Sequence, residues 1–305
     1  MMRFLATYIM HGRMQAVMTV SILAFLSLLV APLSLFSAAA VALVALRTGL
    51  RESCLVMLSA AVAIALLGAL IFNNYFFAVA YALGFWVPVC LVALFLRASG
   101  KIGLALEVTL IMGLCVIGGI YLFGDDPALF WQHRLQTVLQ PILENPPSHI
   151  DLSQFELGIN SASHYMTGIV ATGTVSSVLL ALLLARWWQS ILFNPGGFRK
   201  EFLTMRSDAP VAYACLLIFL LAGLMESDSV GVWRNMSILA FFFFLIIGVS
   251  VLHCVVSVTK QKRVLLPLMY AGMLFIPHLM LPIALMGFTD TWLNWRRKLI
   301  EQGAV

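Results

Sequence analysis

Apolar residues in this chain come in blocks of about twenty, the length a helix needs to cross a bilayer, and polar residues collect in the links between them. The first run is Met14 to Val30, behind Arg3, His11 and Arg13. Pro32 breaks it, and a shorter run from Leu33 to Leu46 ends at Arg47 and Arg51. The third run is Ser53 to Phe72 and the fourth Tyr75 to Leu96, with Asn73-Asn74 as the turn between them. Arg97 and Lys101 lead into the fifth, Ile102 to Phe123. The sixth, His164 to Phe193, is long enough to tilt or to project from the bilayer. The seventh is Val211 to Met225, and the eighth is Met236 to Val258 with its run of phenylalanines, Phe241 to Phe244. The last apolar stretch, Val264 to Phe288, is interrupted by Pro267, Pro277 and Pro282. It is long for one helix and short for two, which predicts a broken or re-entrant element.

These runs predict an all-α, polytopic transmembrane helix bundle with about eight full spans and a Pro-rich last element, built as one membrane domain over residues 1–305. Ser37-Ala-Ala-Ala resembles a signal-peptide cleavage site, but an uncleaved first span is the simpler reading in a chain of membrane runs.

Two polar segments carry helical patterning of their own. Between about 124 and 163 the chain holds Asp125, Asp126, Glu144, Asp151 and Glu156 against Arg134. Within that segment Leu129, Trp131, Leu135, Val138, Leu139 and Ile142 recur at helical spacing. The pattern predicts an amphipathic helix lying along the outer interface and stopped by Pro146-Pro147. Between about 194 and 210, Pro195 and Gly196-Gly197 stop one helix, and Phe198, Phe202 and Met205 then recur beside Arg199, Lys200 and Arg206. This predicts a short amphipathic helix on the inner surface, anchored there or docking a cytoplasmic partner.

Composition narrows the class. Of 305 residues, 62% are hydrophobic and 10% charged, against roughly 45–50% and about 25% in soluble domains. Too little charge is present to cover a surface in water, which excludes a soluble enzyme, a disordered chain, a secreted disulfide scaffold and a nucleic-acid-binding domain. The formal charge of +5 is held in the short links. The positive-inside rule then assigns the amino terminus and the links at Arg47/Arg51, Arg97/Lys101, Arg199/Lys200/Arg206 and Lys260–Arg263 to the cytoplasm of a bacterial inner membrane. A ninth full span would put Arg296, Arg297 and Lys298 outside, so a shallow hairpin that returns the tail to the cytoplasm competes with a span that breaks the rule.

Motifs of soluble chemistry are missing from the sequence. It holds no HExxH, no GxSxG and no Walker A, and its single NPG at Asn194 reads as a turn. The five cysteines lie inside apolar runs without a CxxC pair, and read as small buried hydrophobes rather than ligands. No enzyme, metal or cofactor is expected. The lipid bilayer is the expected partner, together with a cytoplasmic or membrane protein. Ionisable groups inside spans are costly and default to functional hypotheses. Glu107, His164, Thr172, His253 and His278 are therefore candidates to line a cavity, each against a plain alternative. Glu107 snorkels or pairs with Lys101; His253 is a satisfied core histidine; the Thr- and Ser-rich start of the sixth run serves close helix packing. Arg199, Lys200, Asp290, Arg296 and Arg297 are candidates to contact a partner or lipid headgroups, with Asp290 also able to pair with Arg296 or Arg297.

The link Arg47-x-Gly49-x-Arg51, the segment Phe193-Asn-Pro-Gly-Gly-Phe-Arg-Lys-Glu-Phe202 and the ending built on Gly287, Asp290, Trp292 and Arg296 together resemble the YybS-like family of uncharacterised bacterial membrane proteins. That family is distantly similar to the substrate-binding S components of energy-coupling-factor vitamin transporters. The resemblance implies small-molecule or lipid handling and brings no catalytic residues; with no ATPase motif, such a protein would need a partner for energy or act passively. The alternative is a non-transporting scaffold that recruits proteins through its basic inner links.

Overall fold

The computed structural model describes residues 2–144, 152–225, 230–259, 261–297 and 299, and among these it is helical with no strand. The chain opens with α1 (Met2–Met10), α2 (Arg13–Leu26), α3 (Leu33–Thr48) and α4 (Leu50–Phe72). Next come α5 (Phe76–Tyr81), a π-helical turn over Ala82–Trp86, α6 (Val87–Ser99) and α7 (Ile102–Phe123). Then follow α8 (Pro127–Glu144), α9 (Leu152–Phe193), α10 (Gly197–Leu203), α11 (Ala209–Leu224) and α12 (Val230–Ser257). Last come α13 (Lys262–Phe275), a 3-10 turn at Pro277–Leu279 and α14 (Met280–Leu293).

Among the described residues five helices are long and apolar enough to cross a membrane: Leu50–Ile71, Phe76–Ser99, Ile102–Phe123, Leu152–Phe193 and Gly231–Ser257. The best window of the first has a mean hydropathy of 2.7, yet only 22% of it is buried inside the molecule. A helix apolar on its outer face as well as its inner one needs an apolar solvent around it. The π turn lets the second of these helices accept a proline. Pro88 would clash with the carbonyl a turn earlier, and the wider turn over Ala82–Trp86 relieves that contact.

Three apolar helices are shorter: α2, α3 and α11, of 14, 16 and 16 residues. At 1.5 Å per residue they reach only about 21–24 Å, less than the roughly 30 Å of hydrocarbon. So the expected count of eight full spans is met by five helices of full length. The Pro-rich stretch is broken: α13 and α14 are bent by 117° about Ile276–Leu279. Their combined length and composition would make a sixth crossing element.

Helix α3 is the centre of the first half. Every residue from Ser37 to Leu46 is buried. Its alanines let α2, α4, α6 and α9 approach closely. Polar contacts lock this core: Ser37 Oγ donates to the Val20 carbonyl at 2.9 Å and accepts from Trp86 Nε1 at 3.1 Å. The stretch that resembles a cleavage site is thus the most enclosed part of the chain. In the second half α12 packs along α14 and α11, and α9 contacts both halves. Gly248 and Gly287 allow the α12–α14 crossing: a Cβ on Gly248 would lie 1.9 Å from the Ile283 carbonyl oxygen, and one on Gly287 2.1 Å from that of Phe244.

The acidic segment does hold a helix, and that helix has a partner. It runs as α8 beside the amino-terminal part of α9, with Trp131 Nε1 donating to Thr167 Oγ1 at 2.9 Å, so the two form a helical hairpin. Residues 152–163, read as the end of the polar segment before the sixth run, are the first turns of α9 itself. At 42 residues α9 is about 63 Å long, twice what a bilayer requires. The Pro146-Pro147 stop, Asp151, Glu226, Lys260 and Lys298 lie outside the described residues.

Candidate functional site

One end of the bundle collects the basic links. Arg47, at the end of α3, lies over the ring of Phe193 at the end of α9, 4.3 Å from its centroid. Arg97 reaches the Ala45 carbonyl at 3.4 Å. The segment 197–208 crosses this end, held from three sides.

From α7, Glu107 accepts the Ser207 hydroxyl at 3.1 Å and the Asp208 N–H at 2.5 Å. A buried carboxylate thus sits at the start of α11, where a helix end favours negative charge. From α9, Arg186 grips Glu201 with two parallel bonds, Nε to Oε2 at 2.8 Å and Nη2 to Oε1 at 2.5 Å, and also contacts Gln189. Ser190 accepts the Phe198 N–H at 3.1 Å. From the chain's end comes Arg296. Its side chain donates to the carbonyls of Leu203 at 2.7 Å and Met205 at 2.5 Å, to Ser250 Oγ at 2.9 Å and to Asp290 Oδ2 at 2.7 Å. Asp290 also accepts the Trp295 N–H at 2.9 Å, across a turn in which Asn294 takes a left-handed conformation, φ 46°.

A second network lies at the other end. Asn235, on α12 and fully buried, places its amide in the ladder of α9: Nδ2 donates to the His164 carbonyl at 2.7 Å, and Oδ1 accepts the Gly168 N–H at 2.5 Å. The same Nδ2 lies 2.9 Å from Tyr121 Oη and 2.7 Å from the Gly231 carbonyl. Only glycine fits opposite it, since a Cβ on Gly168 would lie 2.6 Å from the Asn235 carbonyl oxygen.

Between these ends an apolar crevice of about 190 Å³ opens among α6, α7 and α9. Pro88, Met112, Val116, Val170, Val175 and Val178 form most of its wall. Its hydroxyls are spoken for: Thr109 bonds the Ala105 carbonyl, Thr174 the Val170 carbonyl, and Thr167 receives Trp131.

No protein-family model, curated protein or solved structure matches the chain.

The five candidate cavity residues do not converge. Glu107 neither snorkels nor faces a cavity; it ties down the 207–208 link. His164 has an exposed side chain and contributes its carbonyl to Asn235. Thr172 is half-buried, outside the crevice lining, with no partner for its hydroxyl among the described residues. His253 is half-buried on α12, its Nε2 2.8 Å from Tyr270 Oη and its ring edge-on to Phe202. His278 is exposed in the turn between α13 and α14.

The five candidate surface contacts divide. Arg199, Lys200 and Arg297 are exposed. Asp290 and Arg296 are not surface groups: they are 0% and 2% exposed and pair with each other. Four backbone and side-chain acceptors draw the guanidinium inward, because a fork of N–H groups satisfies a cluster of carbonyls that no apolar residue could. Asn235, Ser250 and Arg186 were missed by sequence reasoning. Asn235 stood in an apparent link, and its only signal is a carboxamide close to an apolar run.

Proposed function

We propose that this chain is a multi-pass protein of a bacterial inner membrane that binds a lipid or similar apolar molecule in the crevice between α7 and α9. The observation that carries this reading is the crevice wall, nearly free of available polar groups and bordered by exposed Val116, Ile120 and Val170. Ligand pockets generally combine apolar walls with a few convergent polar groups and reach about 300–1,000 Å³. This one is smaller and its hydroxyls are already bonded, which favours a chain or ring fragment over a polar vitamin. Of the polar candidates, Glu107 and His253 are engaged, His164 and His278 are exposed, and the unpaired Thr172 hydroxyl lies outside the crevice lining, so an S-component-like role narrows to lipid handling. With no ATPase motif, energy coupling would need a partner, in keeping with the YybS-like resemblance.

The same reading takes α2, α3 and α11 as spans, which brings the total to eight, with α13–α14 as a re-entrant hairpin. Neighbours enclose much of the short α3, so it needs no full-length lipid contact of its own. The gathering of Arg47, Arg97, Lys101, Arg199 and Arg206 at one end supports a cytoplasmic amino terminus. It also supports a tail on that same side, where Arg296 meets Leu203 and Met205.

A diazirine-bearing phospholipid tests the reading by photo-labelling in membranes. Peptides from α7 and α9 should label more strongly than those from α4, and T174F, which fills the crevice, should abolish the excess. Equal labelling of all exposed helices would overturn it. One observation favours the scaffold alternative: α10 is clamped from three sides while Arg199 and Lys200 stay exposed. Capture of a cytoplasmic protein that is lost in R199E/K200E with the bundle intact would support that role.

A further inference from the structure

A separate cavity of about 270 Å³ opens between the start of α7 and the 201–208 segment. It owes its shape to Gly103, where a Cβ would lie 2.5 Å from the Arg206 carbonyl oxygen, so the link rests directly on the helix start. Its floor is fixed from both sides, by Glu107 on Ser207 and Asp208 and by Arg296 on Leu203 and Met205.

Four charged residues line it: Lys101, Arg206, Glu201 and Asp208. Glu201 is neutralised by the two-pronged grip of Arg186. Arg206 commits Nη2 to the Thr291 carbonyl at 2.6 Å, which orients the guanidinium and leaves its other N–H groups without a protein acceptor among the described residues. Lys101 is exposed and has no ion pair among the described residues. Asp208 alone opposes the two cations, which leaves a net positive cavity. Thr204 adds a hydroxyl at the rim. Lys101 immediately precedes an apolar spanning helix, so the cavity lies at headgroup depth.

We propose that this cavity binds a phosphate ester, held between the Lys101 ammonium and the Arg206 guanidinium, and that the ester belongs to an anionic phospholipid headgroup. An oriented guanidinium beside an ammonium offers a phosphate a fork and a point charge together. The site is distinct from the α7–α9 crevice and does not depend on it.

The test is native mass spectrometry of the full-length protein released from micelles containing phosphatidylglycerol or phosphatidylcholine. Retention should favour phosphatidylglycerol. K101Q should lower it about fivefold, in line with one basic residue at an anionic surface. R206K, which keeps the charge but loses the fork, should lower it less. R199Q/K200Q, which removes two charges outside the cavity, should change it less than twofold. Equal losses in K101Q and R199Q/K200Q, or no preference for the anionic lipid, would overturn the site. Glycerol 3-phosphate supplies the remaining arm: failure to displace the lipid supports a headgroup ligand, and displacement at low millimolar concentration overturns the lipid assignment in favour of a soluble phosphate ester.

Discussion

Replacing Arg296 by methionine removes the side chain that joins the end of the chain to the 203–205 link, and the structure sets the size of the effect. The guanidinium makes four hydrogen bonds to partners on three separate segments, and both it and Asp290 are shut off from solvent. Removing one member of a buried ion pair costs about 3–5 kcal/mol, because the other is left charged and unpaired. Here Asp290 would keep the Trp295 N–H, at 2.9 Å, but lose its guanidinium partner. The Leu203 and Met205 carbonyls would also lose their acceptor role, at about 1–3 kcal/mol each if water cannot reach them. Both residues are buried, so the total lies at the upper end of about 3–5 kcal/mol or above it. D290N/R296M removes the stranded carboxylate, and should be less destabilised than the sum of the single variants by at least about 1 kcal/mol. Reversible unfolding in mixed micelles, followed by tryptophan fluorescence, measures all three. An R296M cost below about 1 kcal/mol, or strict additivity, would refute the view that this pair fastens the tail to the link.

Other positions give sharper local contrasts. G248A should destabilise by more than about 2 kcal/mol, as its Cβ has no room against Ile283, whereas G173A, with nothing within 4 Å, should be neutral or up to about 1 kcal/mol stabilising in thermal unfolding. E107A should cost about 1–3 kcal/mol by freeing the Ser207 hydroxyl and the Asp208 N–H, and E107Q less, because an amide oxygen still accepts; hydrogen exchange at 205–209 should rise in that order. Asn294→Gly should be neutral within about 0.5 kcal/mol, and Asn294→Val should cost at least about 1 kcal/mol, since a β-branched residue resists the left-handed turn. Y270F should leave stability within about 1 kcal/mol yet speed exchange in α13, which has no buried residue and is joined to α12 by the His253–Tyr270 bond.

How far the sequence reveals the fold depends on whether the relevant signal is local. Apolar blocks mark helices well: the run Ile102 to Phe123 is a helix with those bounds, and Ser53 to Phe72 gains only three residues at its start. Breaks are equally local, so Pro277 marks the sharp turn before α14. The first turns of α9 were not legible, because Ser, Gln, Glu and Asn there hide a helix whose support comes from α8. Ile159, Ser163 and Thr167, buried at four-residue spacing, were its one readable trace. Partners distant in sequence are the least legible. Glu107 stands out as a carboxylate in an apolar run, but Ser207 lies 100 residues away. The local pairing of Arg296 with Asp290 is legible in the sequence, but its bond to Leu203, 93 positions earlier, is not.

This division also bears on what the recognisable motifs mean. In an apolar solvent a polar group that holds a backbone together and one that awaits a ligand look alike in sequence, since both are costly to bury. The structure separates them by partner. In the ending that carries the family resemblance, Gly287 opens the crossing with α12, Asp290 closes a turn and Arg296 fastens the link. In the 193–202 segment Phe198 and Phe202 stack with centroids 5.9 Å apart, and Glu201 is taken by Arg186. Residues that perform these tasks would be required in any protein with this end-packing, whatever it binds. The motif residues are therefore accounted for by packing at this end of the bundle, and they are silent on the ligand. Lys101 lies outside those motifs and has no ion pair among the described residues, while Arg206 keeps N–H groups in reserve. A side chain free of structural duty at a fixed cavity is where substitution can alter binding without unfolding the bundle.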